Sequence, residues 1–223
     1  MAERLERLER LERREQREQQ GRHDRAARLP GVRARQREQT RARLLAESRR
    51  LFAARGYAAV GLAEIVESAE VTKGALYHHF AGKAELFRAV LEEVQREVGE
   101  RVAAAAGHHG DPWEQLAAGC QAFLTATTEP DLQRIMLVDG PAVLGWSEWR
   151  AMDEAASARH LTEALAVLVE AEVIPAQPVA PLARLLSGAM NEAALWLASS
   201  TDPEDLAHTR AALDRMLRAL RQR

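Results

Sequence analysis

The sequence predicts an all-α protein with a small N-terminal helix-turn-helix domain followed by a larger helical domain. Three observations carry that expectation. Apolar residues recur at three- and four-residue spacing over most of the chain. The composition is rich in Ala, Leu, Arg and Glu, with 47% apolar and only 4% aromatic residues. The periodic runs are separated by Gly and Pro at positions that stop or start helices.

At 223 residues the chain can bury a core as one large or two small domains. No apolar run reaches the roughly 18 residues of a membrane span, and the N-terminus is charged instead of signal-like. A cytoplasmic protein with no membrane partner is expected. One cysteine, Cys120, excludes an internal disulfide. It sits beside Ala122 and Phe123 in an apolar helical pattern, so it reads as a buried, inert thiol in preference to a redox sensor. The charge is divided unevenly. Residues 1–56 carry 17 Arg against 9 acidic residues, a net of +8. Residues 57–223 carry 14 Lys or Arg against 24 acids, a net of −10. A basic front on an acidic body points to a polyanionic partner at one end.

Residues 1–36 form a charged extension. Its "ERLERLERLERREQREQQ" repeat gives favourable i,i+4 pairs such as Glu3–Arg7, but Leu5, Leu8 and Leu11 are spaced by three and make no heptad seam. A solvated helix is expected there. Gly21, Pro30 and Gly31 interrupt it, and Arg33, Arg35, Arg37, Arg41 and Arg43 continue as a basic arm. From Thr40, a plausible N-cap, the residues Leu44, Leu45, Ser48, Leu51 and Phe52 mark a first helix that Gly56 ends. A second helix starts at Leu62 and runs through Ile65, Val66 and Ala69. A tight turn at Glu70–Val71–Thr72 leads to "KGALYHHF", with Thr72 as cap. Gly82 separates this third helix from a longer one carrying Leu86, Phe87, Val90, Leu91, Val94 and Val98 on one side. Residues 37–97 make the first domain.

Leu51 to Val90, "LFAARGYAAVGLAEIVESAEVTKGALYHHFAGKAELFRAV", resembles the DNA-binding domain of the tetracycline-repressor (TetR-type) family of bacterial transcriptional regulators. The likeness covers the helix, the glycine-aromatic break, the short helix, the turn, "KGALYHHF" and the following "GKAEL". Two positions differ from the usual pattern. Gly61 stands where Ser or Thr usually caps the second helix, and Glu70 stands where the turn usually has Gly. A non-Gly residue at positive φ costs roughly 1 kcal/mol.

The residues themselves fit a nucleic-acid surface. Leu76 and Phe80, four apart, face inward with Val71, while Lys73, Tyr77 and His78 face outward. Gly74 and Ala75 keep the first turn slim enough for a major groove about 12 Å wide. Lys83, at a helix start, adds charge where backbone N–H groups favour phosphate. The candidate DNA-binding residues are Arg35, Arg37, Thr40, Arg41, Thr72, Lys73, Gly74, Ala75, Tyr77, His78, His79 and Lys83. His79 fits a structural role at the domain joint equally well. Adjacent histidines on a helix point about 100° apart, so His78 and His79 do not form a metal site. His108 and His109 read as loop. No catalytic constellation stands out, and no cofactor or metal is expected.

Residues 98–223 form the larger domain. Asp111 caps a helix with Pro112 at its first position, running through Trp113, Leu116, Cys120, Phe123 and Leu124. A short helix breaks at Gly140–Pro141, and a long one spans Met152–Ile174, ending before Pro175. Two more run from about Pro178 to Ser199 and from Pro203 onward. All four tryptophans lie here. Trp113, Phe123, Met136, Trp146, Trp149, Met152 and Met190, with polar Asp139, His160 and Asn191, are the candidates for an effector pocket. Leu182, Leu186, Ala189 and Ala193 on one helix, and Leu206, Leu213, Leu217 and Leu220 on the next, are the candidates for a dimer interface. The family resemblance implies the same dimerisation through the last two helices. The expectation is a homodimeric regulator that binds operator DNA and answers to a small molecule. The alternative is a helical ligand-binding or enzyme-like protein whose helix-turn-helix is only structural.

Overall fold

The computed structural model describes residue 31 and residues 33–221, all helix and connection without a strand among them. The chain divides into two compact units between Leu44 and Leu45. The Leu5–Leu8–Leu11 repeat lies outside the described residues.

Helix α1 occupies residues 33–55. Thr40 is therefore inside a helix and is not the expected N-cap; its hydroxyl donates back to the Gln36 carbonyl at 2.9 Å. The physical reason is that Gln36, Arg37, Glu38 and Gln39 all favour helix, and no breaker stands between residue 33 and Thr40. The charged extension assigned to residues 1–36 therefore ends one turn inside α1.

In the second unit α1 stops at Gly56, which takes φ +80° and donates to the Phe52 carbonyl at 2.8 Å. Helix α2 is Leu62–Ser68 and α3 is Lys73–His79. Between them Glu70 adopts φ +52°, so the turn keeps the left-handed geometry without its usual glycine. The amides of Glu70 and Val71 close back on Glu67 and Val66. Thr72 Oγ1 then accepts from the Ala75 amide at 3.1 Å, as a capping threonine should. Phe52, Tyr57 and Phe87 form an aromatic cluster under this motif, with ring centroids 5.1–5.7 Å apart.

Helix α4, Lys83–Gly107, buries the whole expected stripe of Leu86, Phe87, Val90, Leu91, Val94 and Val98. It passes residue 97 without interruption, so the expected boundary between domains at 97/98 falls within one helix. Helix α5, Pro112–Ala126, begins at Asp111, whose side chain accepts from the Glu114 amide at 3.0 Å. Helix α6, Pro130–Gln133, runs into a wide π-helical stretch, Arg134–Asp139, and then α7, Gly140–Leu144. Gly140–Pro141 thus does not break the helix; the break is at Gly145, φ +80°. Pro141 has no amide to donate, and the widened register lies just where a normal i→i−4 bond would be lost.

The expected single helix Met152–Ile174 is two helices, α8 (Trp146–Ala155) and α9 (Ser157–Glu170). Ser157 donates to the Asp153 carboxylate at 3.0 Å across the junction, a local bond that competes with helix continuation. The junction lies against Gly99 of α4, where a Cβ would stand 3.7 Å from the Ser157 nitrogen. Helix α9 closes at Glu172, φ +55°, with Val173 donating to the Leu168 carbonyl. Helices α10 (Val179–Ser199) and α11 (Asp205–Arg218) complete the unit. Helix α4 packs on α5, α9 packs on both, and α10 covers α9 and α5.

Candidate nucleic-acid interface and ligand cavity

Helix α3 is held from beneath by Leu76 and Phe80, both buried, and presents Lys73, Gly74, Tyr77 and His78 to solvent. Ala75 and His79 are half-buried, and exposed Thr72 is engaged in the cap. The Lys73 ammonium lies 5.9 Å from the Tyr77 ring centroid. The His78 and His79 rings are turned 77° from each other. A Cβ added at Gly74 would meet only Thr72 Oγ1, at 3.9 Å. Nothing inside the fold therefore requires glycine at that position. Its small size matters only to something approaching from outside.

Lys83 is differently placed from the other candidates. Its ammonium sits 4.1 Å above the Tyr57 ring centroid. Burial pushes its pKa down, with the charge of Asp139 opposing. Asp139 in turn accepts from the Tyr57 amide at 2.8 Å. Asp139, a polar pocket candidate, belongs to this joint instead. Arg134 donates to the Ala54 carbonyl at 3.2 Å. Further along, Arg49 pairs with Glu97 at 2.5 Å and with Asp131 at 3.3 Å. Arg101 pairs with Glu97 and with Glu129, both at 2.6 Å. Burial pushes the Glu97 carboxyl up, but Arg49 and Arg101 outweigh it and hold it below its ordinary value. The C-terminal half of α1 is thus tied to α4, α6 and the π-helical stretch by polar bonds. In the first unit Arg35 and Arg37 are exposed, while Thr40 and Arg41 are half-buried.

Helices α4, α5, α9 and α10 line a partly open cavity of about 380 Å³. Three expected residues line it: Phe123, His160 and Met190. Besides Asp139, six expected residues do not, and each has a structural place elsewhere. Trp113 is buried under the Arg221 guanidinium, 5.0 Å from its ring. Met136 is fully buried, and its carbonyl accepts from the Trp149 indole at 2.7 Å. Trp146 stacks beside Trp149 and is 67% exposed. Met152 is half-buried on α8, and Asn191 is buried on α10 outside the wall. Large residues filled core gaps because that is where their area is most stabilising. The cavity exists where the residues are small.

Residues that the sequence pattern left out of the pocket include Gly119, Cys120, Ser157 and Ser187. Gly119 lets α4 approach, since a Cβ there would lie 3.4 Å from Val102 Cγ1. Burial pushes the Cys120 thiol up to about 12, in keeping with an inert thiol. The available signal was small or hydroxyl side chains placed in otherwise apolar helix faces. Behind the serines, Arg150 and buried Asp153 pair at 2.9 Å. Burial pushes the Asp153 carboxyl up, with Ser157 and Arg150 opposing. At the rim His160 Nδ1 stands 3.8 Å from Glu163.

The outer face of α10 and α11 also differs from the expected set. Leu186, Leu213 and Leu217 are buried within the protomer, because they pack toward the cavity helices. Leu182, Ala193, Leu206 and Leu220 are half-buried, and Ala189 is exposed. The large outward groups are Leu185 (73% exposed), Trp196 (49%) and Met216 (50%). With Gly188 and Ala189, the residues Leu185 and Trp196 mark a face of α10 that shares Ala189 with the expected stripe and is centred roughly 60–70° around from it.

Comparison with known proteins agrees with this geometry. Residues 44–90 match the family model described as bacterial regulatory proteins, tetR family. Residues 113–220 match the tetracyclin repressor-like, C-terminal domain. A solved TetR-family transcriptional regulator from Pectobacterium atrosepticum is 36% identical, over 84% of this chain and 97% of that one, with a TM-score of 0.72. The HTH-type transcriptional regulator AcrR of Shigella flexneri is 32% identical over 45% of this chain and 47% of its own length. The HTH-type transcriptional activator FasR of Mycolicibacterium smegmatis is 36% identical over 46% of this chain and 44% of its own. The chain spans less than half the length of these two curated relatives.

Proposed function

Because the chain belongs to the TetR family of bacterial regulatory proteins, we propose that it is a sequence-specific, DNA-binding transcriptional regulator. In this reading it acts in the cytoplasm as a homodimer and as a repressor, leaving its operator when a small molecule fills the α4–α5–α9–α10 cavity. It works by binding and not by catalysis. The observation that carries the reading is the outer face of α3, with Lys73, Tyr77 and His78 exposed around a glycine the fold does not need. Slim first turns and outward polar groups suit a groove, and the apolar pair beneath fixes the helix's orientation. The exposed Leu185–Trp196 face and Met216 support self-association through α10 and α11. The cavity's size falls within the roughly 300–1,000 Å³ of small-molecule sites.

A gel shift with the DNA upstream of the protein's own coding region tests the central reading. Binding should exceed that to random duplex by about 10³-fold or more at equal ionic strength. Equal affinity for the two DNAs would instead favour a helical ligand-binding protein with a merely structural motif. A reporter carrying that upstream DNA tests the direction of control: expression should rise when the gene is deleted.

A further inference from the structure

We propose that the cavity's ligand is an uncharged, largely apolar molecule bearing a hydroxyl group, which is bound between Ser157 and Ser187. The proposal rests on reading the cavity as the effector site and deepens that reading by giving the effector's chemistry.

The argument is one of hydrogen-bond polarity. Arg150 Nη1 lies 3.0 Å from Ser187 Oγ and 2.9 Å from Asp153 Oδ2. A guanidinium only donates, so Ser187 Oγ accepts from it and keeps its own O–H proton to give. Ser157 Oγ lies 3.0 Å from Asp153 Oδ1. A carboxylate paired with arginine only accepts, so Ser157 gives its proton to Asp153 and keeps lone pairs to receive. Both serines line the cavity. The two serines therefore offer one donor and one acceptor between them, fixed by a single ion pair behind them in which Asp153 is buried.

A hydroxyl is the simplest group that donates once and accepts at the same time. A carboxylate has no proton for Ser157, and an ammonium has no lone pair for Ser187. Charge points the same way. Arg150 and Asp153 offset each other, Glu154 stands 3.4 Å from Arg150, and His160 at the rim has Glu163 3.8 Å away, so every basic group at the wall already faces a carboxylate and an anion gains little here. Away from the serines the wall is mostly apolar, with Val102, Leu116, Phe123, Leu161 and Met190, and its other polar side chains are Gln115, His160 and Glu163. A ring or hydrocarbon body bearing one hydroxyl fits both parts.

Calorimetry on the full chain with three probes of one skeleton tests this: 1-naphthol, naphthalene and 1-naphthoate. Naphthol should bind about tenfold or more tightly than either of the others. Ser157→Ala and Ser187→Ala should each cost naphthol about tenfold and leave naphthalene unchanged, which also reports that the cavity is intact. Naphthalene or naphthoate binding as tightly as naphthol, or serine variants weakening naphthol and naphthalene alike, would overturn the hydroxyl assignment while leaving the cavity reading in place. Failure of all three probes to bind would overturn the cavity reading and this proposal with it.

Discussion

Tyr77 and Lys73 stand one turn apart on the same exposed face of α3, yet the proposed function gives them different work. A tyrosine hydroxyl suits phosphate, which positions a protein without reading sequence. Tyr77→Phe should therefore weaken operator and random duplex alike, by about 1–2 kcal/mol. Lys73→Ala should instead narrow the gap between the two, as measured by competition gel shifts. A second residue-scale outcome concerns pH. Glu97 is held below its ordinary value of 4.5 by Arg49 and Arg101, which overcome the opposing effect of burial. A carboxylate depressed on folding contributes stability above its unfolded pKa and loses it as pH falls through the folded one. The stability gap between the wild type and Glu97→Gln should be present at neutral pH and close as pH is taken below 4.5. Thermal melts across that range check it. Single residues were legible in the sequence where their partners are local. Thr72 and Asp111 cap helices that begin beside them. Lys83 was not, because Tyr57 and Asp139, which hold it, come from distant parts of the chain.

Among the elements, α7 and α8 meet so closely that nothing can be added between them. A Cβ on Gly140 would stand 2.8 Å from Trp149 Cδ1 and 3.2 Å from the Ile135 carbonyl. The indole is buried and bonded to the Met136 carbonyl, so it has nowhere to go. Gly140→Ala should destabilise the protein by about 1–3 kcal/mol in chemical denaturation. On α10 and α11 two substitutions of the same kind should part company. Leu185→Glu charges an outward position and should yield a folded monomer in sedimentation. Leu213→Glu buries a carboxylate inside the protomer and should unfold it. The helical period was enough to find both elements but not to tell their two apolar faces apart. A leucine covered by its own chain and one covered by a second copy look the same in a sequence. The α8/α9 break at Ala156 was equally hidden, since no glycine or proline marks it and Asp153 with Ser157 makes it by side-chain bonding.

For the whole molecule, the division of charge is the widest feature, and it was plain from the sequence. Residues 1–56 are basic, at 17 Arg against 9 acids. Arg33, Arg35, Arg37, Arg41 and Arg43, read as an arm, lie within α1; if the charged extension that precedes them also touches DNA, deleting residues 1–30 should leave the melting temperature nearly unchanged. It should flatten log K against log salt by about 0.9 for each phosphate the extension had neutralised. An unchanged slope would remove the extension from the interface. The cavity was less legible than the charge, because a void is a property of what four helices leave unfilled, while a sequence displays what they contain. One occupant of its wall has a use of its own. Cys120 is the chain's single thiol, and burial pushes its pKa up to about 12, so at neutral pH it is held as the thiol. Peroxides and alkylating reagents attack the thiolate, so the closed protein offers them almost no target. Modification has to come through the cavity that Cys120 lines, or wait for the surrounding helices to part. The molecule thus carries its own reporter on the cavity, and the rate of Cys120 alkylation should fall when a ligand fills the space or holds the helices together.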